Sequence, residues 1–491
     1  MLSCKDWVKQ SCRSTVAVNF CRCFYEWKVS VRSLVYILAL IMLLSGCAAG
    51  PDYQRPEQAL PDSFAAGEWK AAAPSELEDK GQWWLLYQDE YLSELLQQLD
   101  VSNQNLAAAE AAWRMAAAAL GGTSAQLYPQ LGASADSTRS SGADGGDART
   151  RNDVRLGLNW QLDLWGQVRR QVEAGKAQLQ ASAAELASMR LSQQGLLVQN
   201  YFQLRMTDEQ IRILQQNVAA YARVLRISEN RYRAGMVTRA DVSQALSQLK
   251  SAQAQELDLH SQRRRLEHAI AVLLGEPAGQ FRLAAVEVLP QLPQLPASIP
   301  SSLLERRPDV AAAERRVMAA NAEIGVAKSA YFPSFTFGAS TGYAASQWPG
   351  LFDSPNRYWS FGPQLDLRLF DAGARRAVTD QAIASHEQQV ARYRQLTLEA
   401  IAEVEDALVQ LSSLQQEYQV QAQAEQAAKD ALILIENQYE AGMVDFLALS
   451  SAQTTALGAE RTLVELYNSQ LQASVQLIAA LGGGWHAQEL E

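Results

Sequence analysis

The chain has 491 residues, of which 20% are charged and 8% aromatic, with a formal net charge of −10. That negative balance argues against nucleic acid as a partner. The Ala- and Gln-rich composition suits extended helices better than one large packed core, although the length alone would allow about three ordinary domains.

Residues 1–46 hold Lys5, Lys9, Arg13, Arg22, Lys28 and Arg32, followed by an apolar run from Leu34 to Leu44. The run is too short to span a bilayer and reads as a signal-peptide core. It ends in Leu44-Ser45-Gly46-Cys47, which resembles the bacterial lipoprotein box, so Cys47 is expected to carry covalent diacylglycerol and an N-acyl chain. The alternative is a membrane anchor with an incidental cysteine. Ala48 stands where an Asp would favour retention in the inner membrane, which points to the outer membrane. Cys4, Cys12, Cys21 and Cys23 all precede the signal core, leaving only Cys47 in the mature chain and no disulfide or cysteine metal site. The first 28 residues fit no export signal, and Val29 or Val31 reads as a possible alternative initiator. Residues 47–90 form an extended lipid-anchored segment.

A first repeat is expected over 91–275. It opens with a helix from Tyr91 to about Ala125. Two strands follow, at about 127–136 and 154–165. In the second, Leu156, Leu158, Trp160, Leu162 and Leu164 alternate with Gly157, Asn159, Gln161 and Asp163, so one face is greasy and the other polar. From Gly166 to about Arg233 there is no proline and apolar residues recur at helical spacing, giving a helix on the order of 100 Å long. Gly235 suits the left-handed turn at its end, and Thr238 with Asp241 approximates a capping box that starts an antiparallel return to Leu274-Gly275.

A Pro-rich linker over 276–302 leads to a second repeat over 303–482 and a tail over 483–491. Its helix starts at Arg307-Pro308, its strands fall at about 333–343 and 358–370, and its hairpin turns at Gly442. Leu127-Tyr128-Pro129-Gln130-Leu131 returns as Tyr331-Phe332-Pro333-Ser334-Phe335, Gln161-Leu162-Asp163-Leu164 as Gln364-Leu365-Asp366-Leu367, and Ala234-Gly235-Met236-Val237 as Ala441-Gly442-Met443-Val444, at offsets of 204, 203 and 207 residues. Such self-similarity marks a duplicated structural unit.

Four strands of about ten residues match what a tilted strand needs to cross a bilayer. Four strands cannot close a barrel, and open edges are not tolerated in lipid, so the chain must oligomerise; three copies supply twelve strands. A soluble sandwich with its apolar faces joined is the alternative, but it would not interrupt its strands with helices this long. Segments 137–152 and 345–358 read as external loops. Gly338-Ala339-Ser340-Thr341-Gly342 spells the serine-hydrolase pattern, yet that chemistry needs a strand-to-helix elbow and Ser340 lies on an alternating strand. His260, His268, His386 and His486 lack metal-ligand spacing. Arg263-Arg264-Arg265 reads as a solvated surface cluster.

The residues resemble the TolC family, specifically lipoprotein outer-membrane factors of the OprM/NodT type. The likeness rests on Gly50-Pro51-Asp52-Tyr53, on Trp83-Trp84 with Asp89 and Leu92, on Glu305-Arg306-Arg307-Pro308-Asp309-Val310 with Ala313-Glu314 and Ala330-Tyr331-Phe332-Pro333, and on the two Ala-Gly-Met-Val hairpins. The resemblance implies an α+β membrane protein: a homotrimeric twelve-stranded outer-membrane barrel continued by a periplasmic α-helical barrel. It implies a passive duct, not an enzyme, that takes drugs or other small molecules from an inner-membrane pump of the resistance-nodulation-division class through a periplasmic adaptor. The helix tips at Gly235, Met236, Val237, Gly442, Met443 and Val444 are where an adaptor would dock. Family tunnels narrow near the second hairpin at a Leu, an Asp four residues on and an Arg three beyond; the matching positions here are Leu447, Ser451 and Thr454, so the charged pair is missing. Asp445, with Arg239 and Asp241 from the first repeat, supplies the nearest charges, though Asp445 also suits a helix cap. The outer component of a type I protein secretion system is the alternative within the same duct class.

Overall fold

The computed structural model describes residues 48–56, 82–141, 147–286, 289–293 and 307–483. The signal segment, Cys47, most of the segment up to residue 81, Glu305, Arg306, much of the Pro-rich linker, and residues 484–491, including His486, lie outside the described residues. The elements run α1 (Glu90–Ser102), α2 (Gln104–Ala125), β1 (Gln130–Ser140), β2 (Arg149–Leu162), α3 (Gln167–Arg233), α4 (Arg239–Leu273), α5 (Pro308–Ser329), β3 (Ser334–Ala345), β4 (Arg357–Asp366), α6 (Ala374–Glu440) and α7 (Phe446–Ala480). The duplication shows in the lengths: α2 and α5 have 22 residues each, α3 and α6 have 67, and α4 and α7 have 35.

Where alternation and helical periodicity place one helix over 91–125, the chain forms two. Asn103 adopts an extended conformation, its Oδ1 accepts the Asn105 and Leu106 N–H groups, and its Nδ2 donates to the Leu273 carbonyl. An Asn side chain that offers the backbone an alternative partner ends one helix and caps the next. The strands are also displaced towards the loops. β1 and β3 begin one residue after Pro129 and Pro333, because consecutive tight turns close α2 and α5 up to Tyr128 and Phe332. Residues 137–140 and 149–152 are paired strand rather than loop, and β4 ends at Asp366, so Leu367, Leu369 and Phe370 are exposed outside it.

The chain divides into two compact units. The first comprises residues 1–54, 118–177 and 318–388 and carries the sheet. Its order is β1-β2-β3-β4, and every neighbouring pair is antiparallel.

The second unit, residues 55–117, 178–317 and 389–491, is helical. Its main core packs Trp83, Trp84, Tyr87 and the buried leucines of α1 against Leu197, Tyr201 and Phe202 of α3, Ile270 and Leu274 of the α4 end, and Leu471 and Val475 of α7. The residues of the Trp-Trp motif therefore act as core, and Asp89 acts as a cap: its Oδ1 accepts the Leu92 N–H at 2.9 Å and its Oδ2 the Tyr201 hydroxyl at 2.7 Å. Arg307 stands before α5 where Asn103 stands before α2. It donates to Asp309, Glu403 and the Ala480 carbonyl, joining the start of α5 to α6 and to the C-terminal end of α7.

In the arginine cluster of α4, Arg264 and Arg265 are exposed as expected, but Arg263 is drawn inward. The Arg263 side chain is 14% exposed and pairs with Asp208 at 2.5 Å and with the fully buried Glu267 at 2.6 Å. Arg264 adds a second pair to Glu267, whose carboxylate also accepts the Leu283 N–H. Burial alone would push the Glu267 carboxyl up; the Leu283 N–H and the two guanidiniums outweigh it and hold the group below the ordinary carboxylate range. Arg205 and Arg263 donate to the Ala284 and Leu283 carbonyls, so the network pins residues 281–286 to α3 and α4.

Candidate channel wall and helix-hairpin tips

Cross-strand register turns the alternation of single strands into two continuous faces. On one face five rows succeed one another: Ala135–Val154–Tyr343–Arg357 at the loop end, then Ala133–Leu156–Thr341–Trp359, Leu131–Leu158–Ala339–Phe361, Trp160–Phe337–Pro363 and Leu162–Phe335–Leu365. Residues directly opposite in antiparallel strands share a face, so this surface is apolar almost throughout. Leu131, Trp359, Phe361 and Leu365 are each more than half exposed. The reverse face carries Gln130–Asn159–Gly338–Gly362, Gly132–Gly157–Ser340–Ser360 and Ser134–Arg155–Gly342–Tyr358. Its side chains are small or polar, and Ser340 shares a 2.8 Å hydrogen bond with Ser360 there, with no elbow and, among the described residues, no partnering histidine. An open sheet that shows large apolar side chains on one side and hydrogen-bonding groups on the other fits lipid on the first and water on the second.

Aromatic residues gather at both ends of the greasy face. Trp165 stacks on Phe332 at 4.9 Å and donates to the Pro333 carbonyl at the helix-connected end, where Tyr128, Tyr331 and Phe332 are exposed. Tyr343 packs edge-on to Phe352 at the loop end, beside exposed Trp348. Such pairs of girdles mark the two interfaces of a bilayer-spanning strand. The 10 residues of β4 extend about 34 Å and, at a tilt of roughly 40°, cover a height of about 26 Å, the thickness of an outer-membrane apolar band.

The hairpin tips are built alike. Gly235 and Gly442 have φ of +73° and +77°, which glycine adopts without the cost of a Cβ. The Met236 N–H donates to the Arg231 carbonyl and Gly235 to Tyr232; Met443 donates to Gln438 and Gly442 to Tyr439. Both helices thus end in a Schellman turn. Met236 and Met443 are 69% and 70% exposed at the points of these turns. The following caps differ. Thr238 and Asp241 form a reciprocal capping box, whereas Asp445 caps α7 alone by accepting the Ala448 N–H at 2.9 Å.

Leu447, Ser451 and Thr454 lie at i, i+4 and i+7 on α7 and share one exposed stripe; Leu447 is 64% exposed. Arg239 is exposed at the first position of α4 and forms no ion pair with Asp241 or Asp445 among the described residues. Both carboxylates are occupied as helix caps, so the geometry joins Leu447, Ser451 and Thr454 into a surface and leaves Arg239, Asp241 and Asp445 apart from it.

The family model for outer membrane efflux proteins matches residues 95–276 and 299–483. The chain belongs to the outer membrane efflux protein family. It is 32% identical over 472 residues to the pyoverdine export outer membrane protein OpmQ of Pseudomonas aeruginosa, covering 94% of this chain and 98% of that protein. It is 28% identical over 448 residues to the cation efflux system protein CusC of Escherichia coli, covering 90% and 97%. Among solved structures, the outer-membrane channel OprN superposes with a TM-score of 0.82 at 30% identity, covering 89% of this chain and all of that one. The MtrE outer membrane channel of Neisseria gonorrhoeae superposes with a TM-score of 0.79 at 26% identity, covering 89% and 98%. As a member of this efflux family the chain is an outer-membrane channel of the TolC-like kind, mostly helical with a few strands.

Sequence reasoning missed one part of the hairpin region of this efflux protein. Arg231, near the end of α3, donates to the Tyr439 carbonyl at 2.7 Å and the Glu440 carbonyl at 3.1 Å, and its guanidinium lies 4.6 Å from the Tyr439 ring centroid. Tyr439 is 2% exposed and shares a 3.0 Å hydrogen bond with Ser228. Around them Val224, Ala245, Phe446 and Leu449 form a small core common to both hairpins. A cation on the last carbonyls of α6 is favourable for its macrodipole. Nothing in the spacing singles out Arg231, one of several arginines on α3.

Proposed function

We propose that three copies of the chain close a twelve-stranded barrel in the outer membrane, with the helices forming a periplasmic tunnel. The single supporting observation is the two-faced sheet with free edges. Among the described residues β1 and β4 each leave one side unpaired, and unpaired backbone groups are not tolerated in lipid. With an even number of antiparallel strands per chain, β4 of one copy runs antiparallel to β1 of the next. Cyclic symmetry then satisfies every edge with one repeated contact. The duct is the outer component of a tripartite assembly. Its exposed Met236, Val237, Met443 and Val444 tips receive a periplasmic adaptor, and an inner-membrane pump of the resistance-nodulation-division class supplies the energy. Leu447 from each copy forms the narrow ring at the periplasmic entrance, and acyl chains on Cys47 anchor the chain. OpmQ, named for pyoverdine export, and CusC, named for cation efflux, agree with small molecules as the cargo. The test is direct: full-length protein in detergent is expected to be trimeric by light scattering and to open ion-conducting pores in planar bilayers. A monomer without conductance refutes the reading.

A further inference from the structure

The residues immediately behind Cys47 are held in a groove lined by Trp165, Arg170, Asn321 and Gly325. The Ala49 N–H donates to the Trp165 carbonyl at 2.9 Å, and the Asn321 Nδ2 donates to the Pro51 carbonyl at 3.1 Å. Arg170, 5% exposed, donates through Nε to the Ala49 carbonyl at 3.2 Å, through Nη2 to Asp52 at 2.8 Å and through Nη1 to Glu173 at 2.7 Å. One guanidinium thereby reads both backbone and side chain of the segment, as its planar fork allows. Two glycines make the approach possible. A Cβ on Gly50, at φ +98°, would strike the Cα of Gly325, and a Cβ on Gly325 would lie 2.7 Å from the Ala49 carbonyl oxygen and 2.9 Å from the Arg170 Cγ. Ala48 itself rests on Gly166, where an added Cβ would be 2.9 Å from its own.

The duplication shows that this groove is an addition rather than part of the repeat. Gly166 and Gly373 both have positive φ and both immediately precede a 67-residue helix. In that alignment Ala377 stands where the first repeat has Arg170. Likewise α2 and α5 align so that Gly121 corresponds to Gly325 and Ala117 to Asn321, and nothing lies within 4 Å of a Cβ built on Gly121. The groove thus combines Arg170 of the first repeat with Asn321 and Gly325 of the second, and the equivalent positions Ala377, Ala117 and Gly121 do not rebuild it.

We propose that Arg170 is a positioning residue for the lipid anchor. It fixes the chain behind Cys47 to the helix-connected end of the sheet, so the acyl chains enter the bilayer at the Trp165, Tyr331 and Phe332 girdle and lie against the apolar face. The ligand chemistry is a hydrocarbon chain in the periplasmic leaflet. Cys47 is bonded to Ala48, whose Cα must lie about 3.8 Å from its own. A free tether of the length 48–56 would instead let the anchor range over roughly 30 Å. The inference rests on the reading that Cys47 is acylated and the apolar face meets lipid.

The test uses full-length protein from cells fed a palmitate analogue bearing a photoactivatable diazirine. Intact mass first establishes acylation of Cys47, and irradiated membranes are then mapped for cross-linked peptides. In the wild type, cross-links are expected to concentrate on peptides holding Trp160, Leu162, Phe332 and Leu365. Arg170→Ala, and independently Gly325→Ala, are expected to lower that yield severalfold and scatter the remainder, while single-channel conductance stays at the wild-type level. Arg170→Lys, which can make one of the contacts, is expected to fall between. A wild type whose cross-links are already scattered, or an Arg170→Ala pattern identical to the wild type, overturns the proposal while leaving the channel reading intact. A Cys47 without acyl chains refutes the lipid reading itself and this inference with it.

Discussion

Two adjacent residues of β2 offer the sharpest test of the wall. Leu158 lies in the third of the five apolar rows, between Leu131 and Ala339, and Asn159 lies in the polar row with Gln130 and Gly338. Leu158 therefore marks the middle of the apolar band. An arginine at the bilayer midplane on the lipid face of a barrel costs about 2–4 kcal/mol, which lowers the folded-to-unfolded ratio about 30- to 900-fold per subunit. If three subunits close one barrel, the charge faces lipid three times and the penalty grows to roughly 6–12 kcal/mol. The same arginine at position 159 enters open space, since nothing lies within 4 Å of a Cβ built on Gly338 or Gly362, and it is expected to change folding little. The assay is refolding of urea-denatured protein into short-chain phosphatidylcholine vesicles, followed by heat-modifiable migration on gels. Leu158→Arg is expected to lose most of the folded band and Asn159→Arg to keep it. Equal behaviour of the two variants would refute the assignment of faces. So would efficient folding of wild type in buffer without lipid, because a sandwich that joins its greasy faces needs none.

Four further outcomes follow from the helical unit. Leu447→Ala is expected to raise single-channel conductance and admit larger antibiotics, while Ser451→Ala and Thr454→Ala leave conductance near wild type; unchanged conductance in Leu447→Ala removes the ring assignment. Asp445→Ala deletes an N-cap and is expected to cost about 1 kcal/mol, whereas Asp445→Asn keeps the cap; a conductance change in the Asn variant would mean that the charge, not the cap, matters. Arg231→Ala loses two charge-assisted hydrogen bonds and a ring contact, about 2–4 kcal/mol in all, and hydrogen exchange at residues 437–443 should quicken markedly while the β-strands stay as protected as before. Glu267 has its folded pKa depressed, so its stabilising share is fully present above the unfolded value of about 4.3 and is lost as pH falls through the lower folded value. Thermal stability should accordingly be flat from neutral pH to about 5 and fall below it, with Glu267→Gln less stable at pH 7 and showing a shallower acid limb; an acid limb as steep as the wild type's would exclude the network as its source.

Much of this architecture was legible because its signals are periodic. Alternation over β2 and β4 marks a face without knowledge of the partner strand, and a proline-free run such as 167–233 marks a long helix. What escaped depends on contacts distant in sequence. Asn103 breaks a helix because its amide finds the Leu273 carbonyl, and Arg263 leaves the surface because Asp208 and Glu267 surround it. Neither fact has a local signature. Strand ends were misplaced for a related reason: strand propensity extends through Leu369 and Phe370, but ladder partners for β4 end with Ser334 opposite Asp366.

The duplication also explains why the two hairpins, alike at their tips, cannot do the same work. Position by position, Val237-Thr238-Arg239-Ala240-Asp241 matches Val444-Asp445-Phe446-Leu447-Ala448. Arg239 is exposed at the place where Phe446 is buried among Val224, Ala245 and Tyr439, so only the second hairpin sends an aromatic anchor into the shared core. With Phe446 turned inward, the next residue on the helix points away from that core. In the first hairpin that residue is Ala240, too short to reach across a passage. In the second it is Leu447, long, apolar and exposed. Two neighbouring differences therefore set the second hairpin apart: Phe446, which anchors it, and the exposed Leu447, proposed above to narrow the duct. A double variant, Ala240→Leu with Leu447→Ala, should therefore leave the pore wide. If it restored the narrow conductance, the constriction would follow from any leucine at a hairpin tip and not from the geometry of α7.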